Sequence, residues 1–384
     1  MTSNSIQKVF KFRIFPSKAQ TTKLAQTLDL CRFLYNSALQ ERRDAYRLNR
    51  ISLNYYTQAN QLKEIKETNP EYKDAHSQIS QDVLKRVDKA FQNFFRRVKS
   101  KKEKAGFPRF QNKQRYNSFT FAQSGFSLTD NRLQLSKIGK VKIKLHREII
   151  GKVKTLTISR DSCGKWFACF VVETIQEILE PTNQQIGIDF GLETFATLSN
   201  GDKIKNPRFF KTAQKRLATA QRRLSLQAKG SQERYEKRKI VAKIHASIRN
   251  RRTDFAHQES RKLVNSFDKI FFENLNIKGM VKNHSLAKSI CDAAWNQTVQ
   301  LTTYKAENAG RIAGMVNPAY TSQDCSNCGN RQKMPLELRL YECVNCHISI
   351  GRDLNASLNI LSAGLRTLDN QFLEATSKPC LLVE

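Results

Sequence analysis

Three acidic side chains sit where a carboxylate is costly to place. Asp189 lies near the end of the apolar run 185–192, Glu273 ends the apolar run 269–273, and Asp353 falls in the first turn of a helix that starts after Gly351. Burying carboxylates beside apolar strands is unfavourable unless a cation offsets the charge. Two divalent cations would do so, and Mg²⁺ suits the role because it takes carboxylate oxygens and keeps waters for substrate. Held by Asp189, Glu273 and Asp353 roughly 3.5–4 Å apart at a phosphate, one ion would activate the attacking water and the other would stabilise the leaving 3′ oxygen. Each acid alone reads as a helix cap or a solvated strand end. The strand, strand, helix order of the three favours a metal site.

The second chemical signal is thiolate. Of nine cysteines, four form the pairs Cys325/Cys328 and Cys343/Cys346, fourteen residues apart. Each CxxC makes a knuckle offering two sulfurs to one ion, and two knuckles close a tetrahedral Cys₄ site for Zn²⁺. Gly329 suits the tight turn of the first knuckle, and His347 is a further ligand that a closed site does not need. Such a site is structural. Cys31, Cys163, Cys169, Cys291 and Cys380 are scattered, and an odd count with this spacing argues for a reducing compartment over a secreted disulfide framework.

Charge names the partner. The 384-residue chain has 66 Lys and Arg against 34 Asp and Glu, a net charge of +32. Cations that neutralise phosphates release condensed counterions, so such an excess points to a polyanion. A membrane surface is the competing reading; against it stand the absence of a long uncharged apolar run, a signal peptide or a lipidation motif. A soluble, cytoplasmic protein that acts as a monomer is expected. Residues 96–115 hold nine Lys/Arg with Glu103 as their sole acid, interleaved with Phe107, Phe110 and Tyr116. Residues 208–252 hold fifteen more. Self-repulsion at this density needs an anion to offset it. Phe107, Arg109, Arg222, Arg223, Arg251, Arg252 and Arg352 are the candidate nucleic-acid contacts.

Periodicity gives the elements that must position these groups. Residues 5–15 alternate as a half-buried strand does, Pro16 ends it, and Ser17 with Gln20 makes a capping box. Helical spacing then predicts a helical module over 17–100. Residues 116–174 read as all-β, with a hairpin turning at Asp161–Gly164, and form a small antiparallel barrel completed by the first strand. After a linker at Glu180–Asn183 come strands at 186–191, 194–198 and about 202–205, basic helices over 207–264, a buried strand at 269–274, a helix near 290–309, a strand at 311–316, and a last helix at 353–363.

The stretches Gly187–Leu192, Phe272–Met280, Tyr320–Gly329 and Arg352–Asn359 resemble the three RuvC motifs and zinc ribbon of the TnpB family of insertion-sequence transposons, long described as putative transposases and related to type V CRISPR effectors. Gly106–Phe110 and Asn283–Trp295 extend the match. The family often carries another acid where Gly351 stands. The resemblance implies an RNA-guided endonuclease that cuts double-stranded DNA with Mg²⁺. It further implies a guide RNA encoded at the transposon end, and a short target-adjacent motif read by the front half. Asp189, Glu273 and Asp353 are then catalytic, and Cys325, Cys328, Cys343 and Cys346 bind zinc. The fold class expected is α/β plus β-barrel. A wedge-like barrel (1–16 and 101–180) carries an inserted helical module (17–100). An RNase H-like (RuvC) nuclease domain (184–319 and 348–363) carries an inserted ribbon (320–347), and the tail 364–384 is expected to be disordered. Two other readings use the same residues: a transposase that joins strands itself, and a regulator that binds without cutting.

Overall fold

A computed structural model describes residues 5–101, 104–335 and 337–376, so Lys102, Glu103 and Cys380 lie outside the described residues. The chain forms two compact units that divide between Ile175 and Gln176.

In the N-terminal unit, β1 (Ser5–Phe15) alternates exposed and buried side chains, and Phe10, Phe12 and Ile14 enter the core. The capping box then starts α1 (Lys18–Asn49): the Gln20 amide donates to Ser17 Oγ at 3.2 Å and the Ser17 amide to Gln20 Oε1 at 3.0 Å. Short helices α2 (Tyr55–Asn60) and α3 (Leu62–Thr68) lead through a 3₁₀ turn (Pro70–Asp74) to α4 (Ser77–Ser100). Six strands follow: β2 (Ser118–Phe121), β3 (Phe126–Thr129), β4 (Arg132–Leu135), β5 (Gly139–Lys144), β6 (Lys152–Arg160) and β7 (Trp166–Ile175).

With β1 they make one antiparallel sheet in the order β2-β6-β7-β1-β5-β4-β3. The sheet is nearly closed, because its edge strands β2 and β3 are neighbours in sequence and the Phe121 and Phe126 rings meet 6.2 Å apart. The β6–β7 turn is set by Asp161, whose Oδ1 accepts from the amides of Cys163 and Lys165, and by Gly164 at φ +79°. Phe12, Phe119, Phe121 and Phe170 are fully buried inside. Burial of each contributes about 2–3 kcal/mol.

In the C-terminal unit, β8 (Gln185–Phe190), β9 (Thr194–Leu198) and β10 (Lys203–Lys205) are followed by α5 (Phe209–Ser225), α6 (Gln232–Ser266) and β11 (Lys269–Glu273). Then come α7 (Ile277–Met280), α8 (His284–Ala293), α9 (Trp295–Asn308) and β12 (Ile312–Val316). The small pair β13 (Leu340–Glu342) and β14 (Ser349–Gly351) precedes α10 (Arg352–Thr376). The sheet order is β10-β9-β8-β11-β12; β8, β10, β11 and β12 run one way, and β9, antiparallel to both its neighbours, runs the other. The basic helices of 207–264 are α5 and α6, whereas the single helix expected near 290–309 gives way to α8 and α9, parted by Ala294 at φ +55°. Among the described residues no helix is long and apolar enough to cross a membrane.

Both faces of this sheet are covered, so its strands are apolar on both sides. On β11, Ile270 and Phe272 join one core with Leu263, Trp295 and Val299, whereas Phe271 joins another with Val316 and Ile360. Helix α10 covers the second face. It extends thirteen residues past the end expected from sequence, so residues 364–376 of the expected disordered tail are helical; 377–384 lie outside the described residues. The extension has a packing cause. Leu365 and Leu368 continue the apolar stripe of Ile360 and Leu361. Gly364, which in isolation would weaken a helix, is a close-contact point: a Cβ there would lie 2.2 Å from Cγ of Phe271.

Candidate functional site

Side chains on a strand alternate faces, so residues two apart share one. Gly187 is paired with Phe271 across β8 and β11, and both face α10. Asp189 and Glu273, each two residues further on, therefore face α10 as well, at the carboxyl ends of two adjacent parallel strands. The helix crosses β8 closely: a Cβ on Gly187 would sit 2.2 Å from the Ser357 carbonyl oxygen and 2.5 Å from the Leu361 nitrogen. That approach sets the first turn of α10, with Arg352 and Asp353, beside the two strand ends.

Electrostatics reports the convergence. Burial pushes Asp189 up to about 8, and the charges of Glu273 and then Asp353 add to the rise, against a lowering by Arg352. Glu273 is buried and is raised by loss of water; the Thr321 hydroxyl donates to its Oε1 and opposes the rise. Among the described residues, the cysteines alone bring their ligand atoms within 4.8 Å of one another. Mutually repelling acids with one flanking arginine fit a divalent cation by charge and donor type.

A pH dependence follows. In Mg²⁺-free protein with its zinc retained, the folded state binds a proton on Asp189 up to about pH 8, whereas a free aspartate releases it near 3.8. The folded state then holds more protons than the unfolded chain, so stability falls as pH rises through that window. Asp189→Asn should flatten the slope and raise stability at pH 8 by several kcal/mol, about 5 at most. Thermal melts at pH 5 and pH 8 check this; parallel slopes for the two proteins would contradict it.

The cysteines form the second centre. Cys325 and Cys346 Sγ are 3.6 Å apart, as are Cys328 and Cys343 Sγ, with no disulfide among them. A tetrahedral ion with metal–sulfur bonds of about 2.3 Å places its sulfurs about 3.8 Å apart, so the four fit Zn²⁺. Burial raises the Cys325 thiol to about 11, while hydrogen bonds from Asn327 and the Ile348 backbone hold Cys346 near 6. The two knuckles match: the residue after each second cysteine is left-handed, Gly329 at φ +75° and His347 at φ +57°. His347 serves that turn and stands outside the ligand group.

Asn355 and Asn359 tie the ribbon to the acids, a role their types alone did not reveal. Asn355 is fully buried; its Oδ1 accepts from the Ser326 amide at 2.9 Å and its Nδ2 donates to the Asp324 carbonyl at 2.8 Å. Asn359 Nδ2 donates to the carbonyls of Thr321 and Asp324 at 2.8 and 2.7 Å. The helix that carries Asp353 thus grips the first knuckle, and Thr321, at the start of the ribbon, holds Glu273. The only sequence cue was an asparagine repeat at i, i+4 after Asp353, which puts both on one helix face.

The candidate contacts divide. Arg222, Arg223, Arg251 and Arg109 are exposed. Arg251 lies 4.7 Å over the Phe209 ring. Arg252 is instead committed to Asp292, with Nε at 2.9 Å and Nη2 at 2.7 Å, so a phosphate would have to displace a carboxylate to reach it. Arg352 flanks Asp189 and donates to the Pro335 carbonyl at 3.0 Å. Phe107 is 46% exposed even though it meets the rings of Phe91 and Phe94 edge-on.

Similarity to known proteins agrees with this arrangement. A family described as "Probable transposase" matches residues 169–284, a "Cas12f1-like, TNB domain" matches 295–360, and a "Helix-turn-helix domain" matches 1–50. Within that last stretch, the described residues form a strand followed by a single 32-residue helix. A protein of Streptomyces pristinaespiralis named "Putative RNA-guided DNA endonuclease" is 34% identical over 94% of this chain and 90% of its own length. "Putative RNA-guided DNA endonuclease InsQ" of Escherichia coli K12 is 30% identical over 93% of this chain and 92% of its own. In fold, the chain is similar to the protein of a Cas12f1–sgRNA–target DNA complex, with TM-score 0.58 and 12% identity over 93% of this chain and 98% of that one. The class is that of transposon-associated, Cas12f-like proteins with a four-cysteine ribbon. The chain belongs to the TnpB family.

Proposed function

We propose that this protein is an RNA-guided endonuclease that cleaves double-stranded DNA by metal-dependent phosphodiester hydrolysis. The observation that carries the reading is the convergence of Asp189, Glu273 and Asp353 on one face of the mixed sheet, with Asp189 displaced to about 8 by burial and by the other two acids. We read that sheet, with β9 alone running against the other four strands, as an RNase H-like (RuvC) nuclease domain, and the near-closed sheet of the N-terminal unit as a wedge-like barrel. The family relatives supply the RNA-guided DNA endonuclease class by name.

Asp189, Glu273 and Asp353 would hold Mg²⁺, which when bound supplies activation of the attacking water and stabilisation of the leaving 3′ oxygen. The protein's own groups prepare the place. Thr321 fixes one oxygen of Glu273. Arg352 offers positive charge beside Asp189. The Asn355 and Asn359 clamps keep the first turn of α10 from drifting. Cys325, Cys328, Cys343 and Cys346 would hold Zn²⁺, which would brace this geometry and take no part in hydrolysis. Guide RNA and target DNA would be held by dispersed phosphate contacts, with Arg109, Arg222, Arg223 and Arg251 among them and Phe107 available for stacking.

Two measurements test the reading. Sequencing the RNA that co-purifies with the protein should return a structured RNA with a guide from the transposon end, and plasmid cleavage should require Mg²⁺. Strand-transfer products in place of free cut ends would favour a transposase. Absence of cutting with intact binding would favour a regulator. If binding rests on phosphates, RNA affinity should fall about a hundredfold or more between 50 and 200 mM salt. An affinity that scarcely moved would count against it.

A further inference from the structure

Helix α4 carries aromatic rings that it does not bury. Phe95 is 58% exposed, and Phe91 and Phe94 are half-buried. Phe107 joins them from the following loop, so four rings touch at centroid distances of 5.2–6.3 Å. With Tyr46 on α1, 57% exposed, they line a cavity of about 550 Å³. Aromatic surface left at a concave site marks recognition more often than packing.

Beneath the rings lies a buried guanidinium. Arg42 is 6% exposed; its Nε donates to Gln58 at 2.8 Å, its Nη1 to Asp88 at 3.0 Å, and its carbon lies 5.3 Å over the Phe91 ring. Its Nη2 is buried with no hydrogen-bond partner. That donor is closed to water although Arg42 lines the cavity, so the charge offered to an occupant comes from other arginines. Arg43 and Arg47 also line it, and Asp44, its one acid, already pairs with Arg47 at 3.3 Å. An apolar protein segment would meet the rings but would have no use for this charge.

We propose that the cavity takes one unpaired nucleobase of a bound single strand. The base stacks on Phe95 and Phe107, and its flanking phosphates lie toward Arg43 and Arg47. The cavity would hold the register of a single strand at one nucleotide. Every base has a stacking face, so the site tolerates sequence. This inference rests on the nucleic-acid-binding reading above.

The test uses the full chain and fluorescence anisotropy with single strands of roughly 12 nucleotides, RNA and DNA in parallel. Phe95→Ala and Phe107→Ala should each weaken binding about tenfold and leave the salt slope unchanged, because stacking releases no counterions. Phe95→Trp should retain affinity and Phe95→Leu should lose it, with unaltered melting temperatures showing that the fold holds. A wholly abasic oligonucleotide should bind the wild-type chain and Phe95→Ala alike, because it offers no base to stack. A loss confined to RNA or to DNA identifies the strand held. Unchanged affinity in both alanine variants would overturn the proposal and leave the cavity to a protein segment. So would full recovery with Phe95→Leu, or a loss that tracks the salt slope. Failure of the wild-type chain to bind any single strand would remove the broader nucleic-acid reading too.

Discussion

Asp189→Ala, Glu273→Ala and Asp353→Ala are each expected to lower DNA cleavage by about a thousandfold or more while guide-RNA binding survives. Each carboxylate positions the same small set of atoms, so losing one misplaces both the nucleophile and the support for the leaving group. Double substitutions should be hardly worse than single ones, since the three act as a unit. Binding rests on phosphate contacts spread along the chain and not on these acids. Folding should not suffer in Asp189→Ala: removing one of three repelling carboxylates relieves the strain that lifts Asp189 to about 8. Plasmid cleavage beside RNA binding for the three variants decides the matter. Near wild-type cutting by Asp189→Ala or Glu273→Ala would mean that the active site lies elsewhere. Loss of RNA binding in all three would make the acids structural.

Cys325→Ser is expected to fail differently. The purified wild-type chain should hold one zinc by elemental analysis, and the variant much less, because Cys₄ binding energy is folding energy. Cleavage should drop about a hundredfold or more, although no cysteine touches the reacting phosphate, and the melting temperature of the C-terminal unit should fall with it. The route is short. Disorder in the first knuckle removes the Asp324 and Ser326 backbone partners of Asn355 and Asn359, which steady the helix that carries Asp353. Asn355→Ala should reproduce part of the cleavage loss with zinc retained, and hydrogen exchange in the first turn of α10 should rise in both variants. Zinc-free wild-type protein, or a Cys325→Ser chain with full activity, would sever this link.

Much of the chain could be read without coordinates because it depended on local rules. The capping box at Ser17 and Gln20, the Asp161–Gly164 turn and the two CxxC knuckles involve residues within a few positions of each other, where side-chain type nearly dictates geometry. Parity along a strand is local too: Gly187 with Asp189, and Phe271 with Glu273, share a face whatever packs on it. The acids were therefore legible as candidates, and the excess of Lys and Arg named a polyanion as the partner.

What tertiary structure decided was contact between segments far apart in sequence. Gly364 looks like the end of a helix until Phe271 is seen to need the space where its Cβ would lie, and α10 then runs on to Thr376. Arg252 looks like another phosphate contact until Asp292, forty residues away, is found to hold it. Thr321, Asn355 and Asn359 carry no chemical signal of their own; they matter because their partners arrive from Glu273, Asp324 and Ser326. The sequence by itself determined which groups could do chemistry, because charge, thiolate and strand parity are properties of single residues and near neighbours. The tertiary structure alone decided how those groups are held and which arginines remain free for substrate, because a side chain's hydrogen bonds and burial depend on what folds against it.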